Sequence, residues 1–197
     1  VQIVKEDMQN LPKIIDHLKR APVVMPTETL YAIVAPVMDK NLFDQVYSLK
    51  NMKMNTASPI GFYGLRDMER FCAMDQGAKN IVKKLMPGPL TLIMNAKVDG
   101  HWVVNKKIAA RISSNNLIRE VAREIGPVTL IGANIRGFKL SSDLKEIIAQ
   151  FGNKISLYVD GGNLKGSPST IYDYTTKTLI REGSISIREI RGAENGL

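Results

Sequence analysis

Apolar residues recur along this chain with two periods. Leu11, Ile14, Ile15 and Leu18 follow the i, i+3, i+4, i+7 spacing of a helix with one buried face. Residues 10–20 therefore read as an amphipathic helix that Pro22 ends. Leu42, Val46 and Leu49 mark a second helix over roughly 40–50, and Leu117, Val121 and Ile125 share one face of another. Leu144, Ile147, Ile148 and Phe151 define a further helix with Ser142 or Asp143 as its cap. Two short helices are expected within 66–86, stopped by Pro87-Gly88-Pro89.

Between these segments lie short apolar or β-branched runs that read as strands. They are 23–25, 31–37, 60–63, 90–95, 108–112, 128–131, 157–160, 169–172, 178–181 and 184–190. The 128–131 run breaks at Gly132, and the last three runs are spaced for a hairpin-rich end. Helices and strands mix without strict βαβ alternation, which predicts an α/β fold of α+β type with helices packed on a mixed sheet. No linker or repeat interrupts residues 1–197, so one domain is the expectation.

Composition narrows the class. The chain has 197 residues, 44% hydrophobic and 23% charged, enough to bury a core without disulfides or a structural metal. Cys72 is the one cysteine, so no internal disulfide can form; with only His17 and His101 beside it, a common Cys/His zinc site is excluded. No apolar run reaches the ~20 residues of a membrane span. Val1 to Asn10 carries two acids and does not read as a signal peptide. A cytoplasmic protein with no membrane partner is the expectation.

The net charge of +8 points to an anionic partner. It is unevenly spread: residues 50–111 carry a net +7. Known phosphate loops do not account for it. Gly132 and Gly137 have Walker spacing, but Phe138 follows and Lys139 comes one position late. No G-x-G-x-x-G follows a strand. An enzyme built from this chain would handle anions with Lys, Arg, hydroxyls and backbone amides.

Several stretches suit that chemistry, although each also reads as an ordinary structural feature. Pro26-Thr27-Glu28-Thr29-Leu30-Tyr31 places hydroxyls and an acid at a strand end. Lys50 and Lys53 flank a helix terminus and could clamp a polyphosphate. Pro87-Gly88-Pro89-Leu90-Thr91 is a stiff turn entering a strand. Arg111 is a lone cation inside the apolar run 108–112, where burial demands a partner or a ligand. Asn134 ends the 131–134 segment, Asp160-Gly161-Gly162 leads through a loop to Ser167-Pro168-Ser169-Thr170-Ile171, and Arg181 precedes Gly183.

In this order, the stretches resemble the YrdC-like family of threonylcarbamoyl-AMP synthases, over about four fifths of the chain. The resemblance implies a twisted mixed parallel and antiparallel sheet with helices around a basic concave cavity. It implies condensation of L-threonine, bicarbonate and ATP, with Mg²⁺ arriving on the ATP, into threonylcarbamoyl-AMP and pyrophosphate. A downstream tRNA threonylcarbamoyl transferase would use that product at adenosine 37. No protein nucleophile or metal site is called for. Lys50 and Arg111 would be catalytic; Lys50, Lys53, Asn134 and Arg181 would bind ATP. Thr27, Thr29, Arg111, Ser169 and Tyr63 would bind threonine.

The chain departs from the pattern at four positions. Met52 stands where the family's Lys-x-Arg has Arg, and Gly132 where Ser-x-Asn has Ser. Tyr63 stands for a His and Ala32 for a Gly. An alternative expectation is therefore a catalytically altered relative that binds tRNA or double-stranded RNA through its basic face.

Overall fold

The computed structural model describes residues 1–196. The predicted amphipathic helices each bury an apolar stripe, and most of them also carry a side-chain cap. In α1 (Leu11–Leu18), Ile14 and Leu18 are fully buried. In α2 (Lys40–Lys50), the Asp39 carboxylate accepts from Leu42 N at 3.0 Å. Asp75 caps α4 (Gln76–Leu85), which follows the short α3 (Leu65–Phe71). Asn115 caps α5 (Asn116–Ile125), and Asp143, of the two residues expected, caps α6 (Leu144–Phe151). Each cap satisfies an N–H that the helix leaves without an internal partner.

The strands divide between two mixed sheets. The first has the order β1 (Gln2–Lys5), β9 (Leu157–Asp160), β2 (Val23–Met25), β3 (Ala32–Val34), β8 (Ile131–Gly132). The second has the order β11 (Thr178–Arg181), β10 (Thr170–Asp173), β5 (Leu90–Asn95), β6 (Lys107–Arg111), β4 (Pro59–Gly61), β7 (Val128–Thr129). In the first sheet β1 and β2 run parallel to β9, while β3 is antiparallel to both β2 and β8. In the second, β10 is parallel to β5 and β4 to β6, and the remaining pairs are antiparallel.

The expected mixed α/β architecture is present, and four local readings change. The single strand expected at 128–131 is two short strands, one in each sheet, separated by Leu130. The Thr129 hydroxyl bridges the split: it donates to Ile33 O at 2.9 Å and accepts from Ala35 N at 3.0 Å. Segment 184–190, expected as a strand, instead enters helix α7 (Ile187–Glu194). A capping box explains it: Ser186 accepts from Glu189 N, and the Glu189 carboxylate accepts from Ser186 N. Strand β1 was not anticipated; only pairing with β9 makes Gln2–Lys5 a strand. The 31–37 run is strand only over 32–34.

The first sheet is covered on both faces. Val23 and Met25 of β2, Val34 of β3, and Leu157 and Val159 of β9 pack with α1 and α5. Val24, Ile33 and Tyr158 point the other way into the larger core shared with α2, α4 and the second sheet. This period-two alternation is what a sheet sandwiched between layers requires. The arrangement brings the C-terminal ends of β2, β6 and β11, the end of β8 and the C-terminus of α2 around one cavity.

Candidate active site

The cavity has a volume of about 290 Å³. Of the residues expected at a ligand site, Thr27, Thr29, Lys50, Arg111, Ser169 and Arg181 line it. They come from five separate chain segments, so tertiary folding assembles the set. No acidic residue is among the lining side chains.

Each polar group is held in place. Thr27 Oγ1 donates to Leu30 O at 2.7 Å and accepts from Thr29 N at 3.1 Å, closing the turn after β2. Thr27 and Thr29 hydroxyls lie 2.8 Å apart. Arg111, only 5% exposed at its side chain, donates to Thr29 Oγ1 at 3.0 Å and pairs with Glu28 Oε1 at 2.9 Å. Ser113 donates to the other Glu28 oxygen. Burial works against the Glu28 charge, but Arg111 and the Ser113 hydroxyl outweigh it and hold the carboxyl below its ordinary value. Arg111 Nε is buried and has no hydrogen-bond partner.

Ser169 joins two neighbours. Its hydroxyl lies 3.1 Å from Thr91 Oγ1, and its carbonyl accepts from Arg181 Nε and Nη2 at 2.9 and 2.8 Å. Burial, and then the charge of Arg111, hold the Arg181 guanidinium below its ordinary pKa. No carboxylate pairs with Arg181 among the described residues. Lys50 Nζ donates to Gly132 O at 2.6 Å and to Asn134 Oδ1. Both partners are neutral, and burial pulls the ammonium down to about 8.

Three expected residues stand elsewhere. Asn134 is not on the cavity wall; it acts through Lys50. Lys53 is exposed in the loop after α2 and does not line the cavity. Tyr63 is also absent from the wall: its ring lies under the Arg119 guanidinium, 5.4 Å from the centroid. The net +7 of segment 50–111 is likewise only partly at the site, since Lys50 and Arg111 are its two lining cations. Lys79 and Lys107 pair with Glu69 and Asp173 instead.

The sequence reading did not foresee the apolar wall of Leu130, Leu140, Pro168 and Ile171, nor the Ser113 contact. Strand alternation links Arg111 and Ser113 to one side, a signal that was available. Nothing local marks Leu140. A Cβ built on Gly132 would come within 2.7 Å of Leu140 Cδ2, so Leu140 occupies the space a side chain at 132 would need. Among the described residues no group of three or more His, Cys, Asp or Glu is arranged to hold a metal ion. No helix among them is long and apolar enough to cross a membrane.

Comparison with known proteins agrees with this fold. Residues 18–183 match the model of the Sua5/YciO/YrdC family, described as telomere recombination. A Methanocaldococcus jannaschii protein, provisionally named threonylcarbamoyl-AMP synthase, is 30% identical over 96% of this chain and 95% of its own length. The threonylcarbamoyl-AMP synthase of Pyrococcus abyssi is 25% identical over 85% of this chain and 52% of its own. The crystal structure of P. abyssi Sua5 complexed with L-threonine superposes with a TM-score of 0.89 at 22% identity. It covers 98% of this chain, which spans 61% of that longer protein. Escherichia coli YciO superposes at 0.87 with 20% identity, covering 96% of this chain and 98% of that one.

Proposed function

This chain belongs to the Sua5/YciO/YrdC family, and from that premise we propose that it is a threonylcarbamoyl-AMP synthase. The reaction condenses L-threonine, bicarbonate and MgATP to threonylcarbamoyl-AMP and pyrophosphate, for modification of tRNA adenosine 37. The observation that carries this reading is the buried Arg111 Nε, a donor without a partner at the wall of the cavity. Buried donors are almost always satisfied, so an orphan beside a cavity calls for an acceptor from a ligand. The threonine carboxylate is that acceptor. Thr27, Thr29 and Ser169 then surround the amino acid, and Tyr63 is left out of its subsite.

In the chemical step the carboxylated amino group of threonine attacks the α-phosphorus and pyrophosphate leaves. Negative charge builds on the phosphoryl oxygens, and fixed cations lower the barrier without a protein nucleophile. Lys50, half-buried, and Arg181, more exposed, are such cations: each is tied only to neutral oxygens and held in a wall that lacks acids. Asn134 positions Lys50.

The test is pyrophosphate release by the purified protein with each substrate withheld in turn. Release that needs threonine, bicarbonate and ATP together is the expected result. Folded protein that binds ATP yet makes no threonylcarbamoyl-AMP would reject the reading. A second reading, an RNA-binding relative without turnover, draws on exposed cations such as Lys53, Lys106 and Lys139. It predicts salt-sensitive binding of tRNA or double-stranded RNA and no threonine-dependent turnover.

A further inference from the structure

Ser113 follows β6 by two residues and is fully buried, off the cavity wall. The alternation that carries Arg111 and Ser113 to one side sends Ile112 to the other, into the larger core. The chain on either flank has its own anchors. Phe62 N donates to Arg111 O and Gly88 N to Ile112 O, both at 2.9 Å. Asn115 caps α5 by accepting from Ile118 N at 3.1 Å, and its side-chain amide donates to Glu6 Oε1 at 2.6 Å. A strand end and a helix start thus place the Ser113 hydroxyl between them.

The direction of each proton around that hydroxyl is determined. Asn115 N donates to Ser113 Oγ at 3.2 Å, and a backbone N–H can only donate. The Ser113 hydrogen therefore goes to the Glu28 carboxylate, which when ionised can only accept. The other Glu28 oxygen, Oε1, lies 2.9 Å from Arg111 Nη2 as an ion pair, but it is buried and no hydrogen bond is aligned on it. Coulomb attraction depends on distance and leaves a carboxylate free to rotate, whereas a hydrogen bond prefers one direction. Ser113 thus orients the carboxylate that Arg111 faces. Arg111 Nη2 is shared between that carboxylate and Thr29 Oγ1, the latter at 3.0 Å. The guanidinium is planar, so holding Nη2 fixes where the partnerless Nε–H lies.

We propose that Ser113 is a positioning residue: through Glu28 it holds the Arg111 guanidinium with Nε–H set for the acceptor that the cavity receives. Naming that acceptor as the L-threonine carboxylate rests on the synthase reading; the control of Arg111 by Ser113 does not. Alanine at 113 removes one oxygen and little volume, so it tests the hydrogen bond rather than the packing.

Calorimetry with L-threonine and ATP tests this on the wild type, Ser113→Ala, Glu28→Ala and the double variant. Proton–nitrogen NMR of the Arg111 Nε–H is the second readout. Ser113→Ala should weaken L-threonine by about three- to tenfold, the net worth of one hydrogen bond, and leave ATP unchanged. In the Glu28→Ala background the same substitution should change L-threonine affinity by less than about twofold, because no carboxylate is left to orient. An equal loss in both backgrounds would show that Ser113 acts through general packing, and an unchanged affinity in Ser113→Ala would show that it does not act at all; either overturns the proposal. Wild type that binds no L-threonine rejects the synthase reading, and the NMR signal then decides the positioning role by itself, as it does where Glu28→Ala fails to fold. The Nε–H resonance should shift or broaden in Ser113→Ala, and a resonance identical to wild type overturns the proposal.

Discussion

Arg111 on β6 and Glu28 in the turn after β2 form an ion pair at 2.9 Å, their side chains 5% and 15% exposed. The pair joins the two sheets at the cavity wall. Removing one member of such a pair strands the other charge in a low-dielectric site, the costly case for buried ions. Glu28→Gln should lower the unfolding free energy at pH 7 by about 3 kcal/mol, read from urea denaturation. Because the folded carboxyl sits below its ordinary value near 4.5, its contribution is present above that value and lost as pH falls through the lower one. The gap between wild type and Glu28→Gln should therefore narrow as the pH falls below that ordinary value, and a gap that persists unchanged would show that charge pairing is not its source.

Arg111 also sets a prediction for ligand. Arg111→Lys keeps the charge and loses the fork. L-Threonine affinity should fall by roughly 10- to 100-fold, as expected when a charge-assisted hydrogen bond is lost. Calorimetry on variant protein with wild-type circular dichroism checks it, and equal affinity would remove Arg111 from the carboxylate subsite.

Lys50 makes anion binding pH-dependent. Its folded value of about 8 means that the positive charge is lost as pH rises through that point. ATP affinity should decline between pH 7 and 9, and Lys50→Arg should flatten the decline because a guanidinium stays charged. Titrations across that range decide the matter. In the unliganded protein the sign for stability is opposite: above pH 8 the unfolded lysine holds its proton longer, so the folded state gains relative stability.

The loop before β10 depends on a close backbone approach. A Cβ on Gly166 would lie 2.2 Å from Thr29 O and 2.6 Å from Glu28 O. Gly166→Ala should push the 160–169 loop off the Thr27–Thr29 turn, lowering both thermal stability and threonine binding. Gly192, in α7, has open space at its Cβ; there Ala should raise stability by up to about 1 kcal/mol through helix propensity. Differential scanning calorimetry of the two variants compares them, and equal effects would contradict the packing.

Cys72 is buried, and burial pushes its thiol up to about 12. A thiol that stays protonated and covered is a poor nucleophile. It should resist Ellman's reagent at pH 8 in the native protein and react fully in guanidinium, a contrast that absorbance at a single wavelength reports.

The amino-acid sequence determined those features whose signals are local. Helices α2, α4, α5 and α6 each carry a capping side chain beside a 3.6-period apolar stripe, and both act within a few residues. Thr27, Thr29, Lys50, Arg111, Ser169 and Arg181 were legible as ligand candidates through the ordered set of stretches that resembles the family, since each stretch alone also reads as an ordinary structural feature. Segment 184–190 shows the limit even of local reading: Ile185 and Ile187 alternate as in a strand, yet the Ser186–Glu189 capping box starts a helix.

Tertiary structure decided what depends on residues far apart. Gln2–Lys5 is a strand only because 157–160 lies beside it, and 128–132 serves two sheets only because Thr129 reaches Ile33 and Ala35. The +8 charge is visible in composition, but which cations meet an anion is not. Lys79 and Lys107 are neutralised by acids on other elements, while Lys50 and Arg111 line the cavity. Propensity and capping extend over one turn of helix; burial and Coulomb energy depend on the distances that folding alone sets.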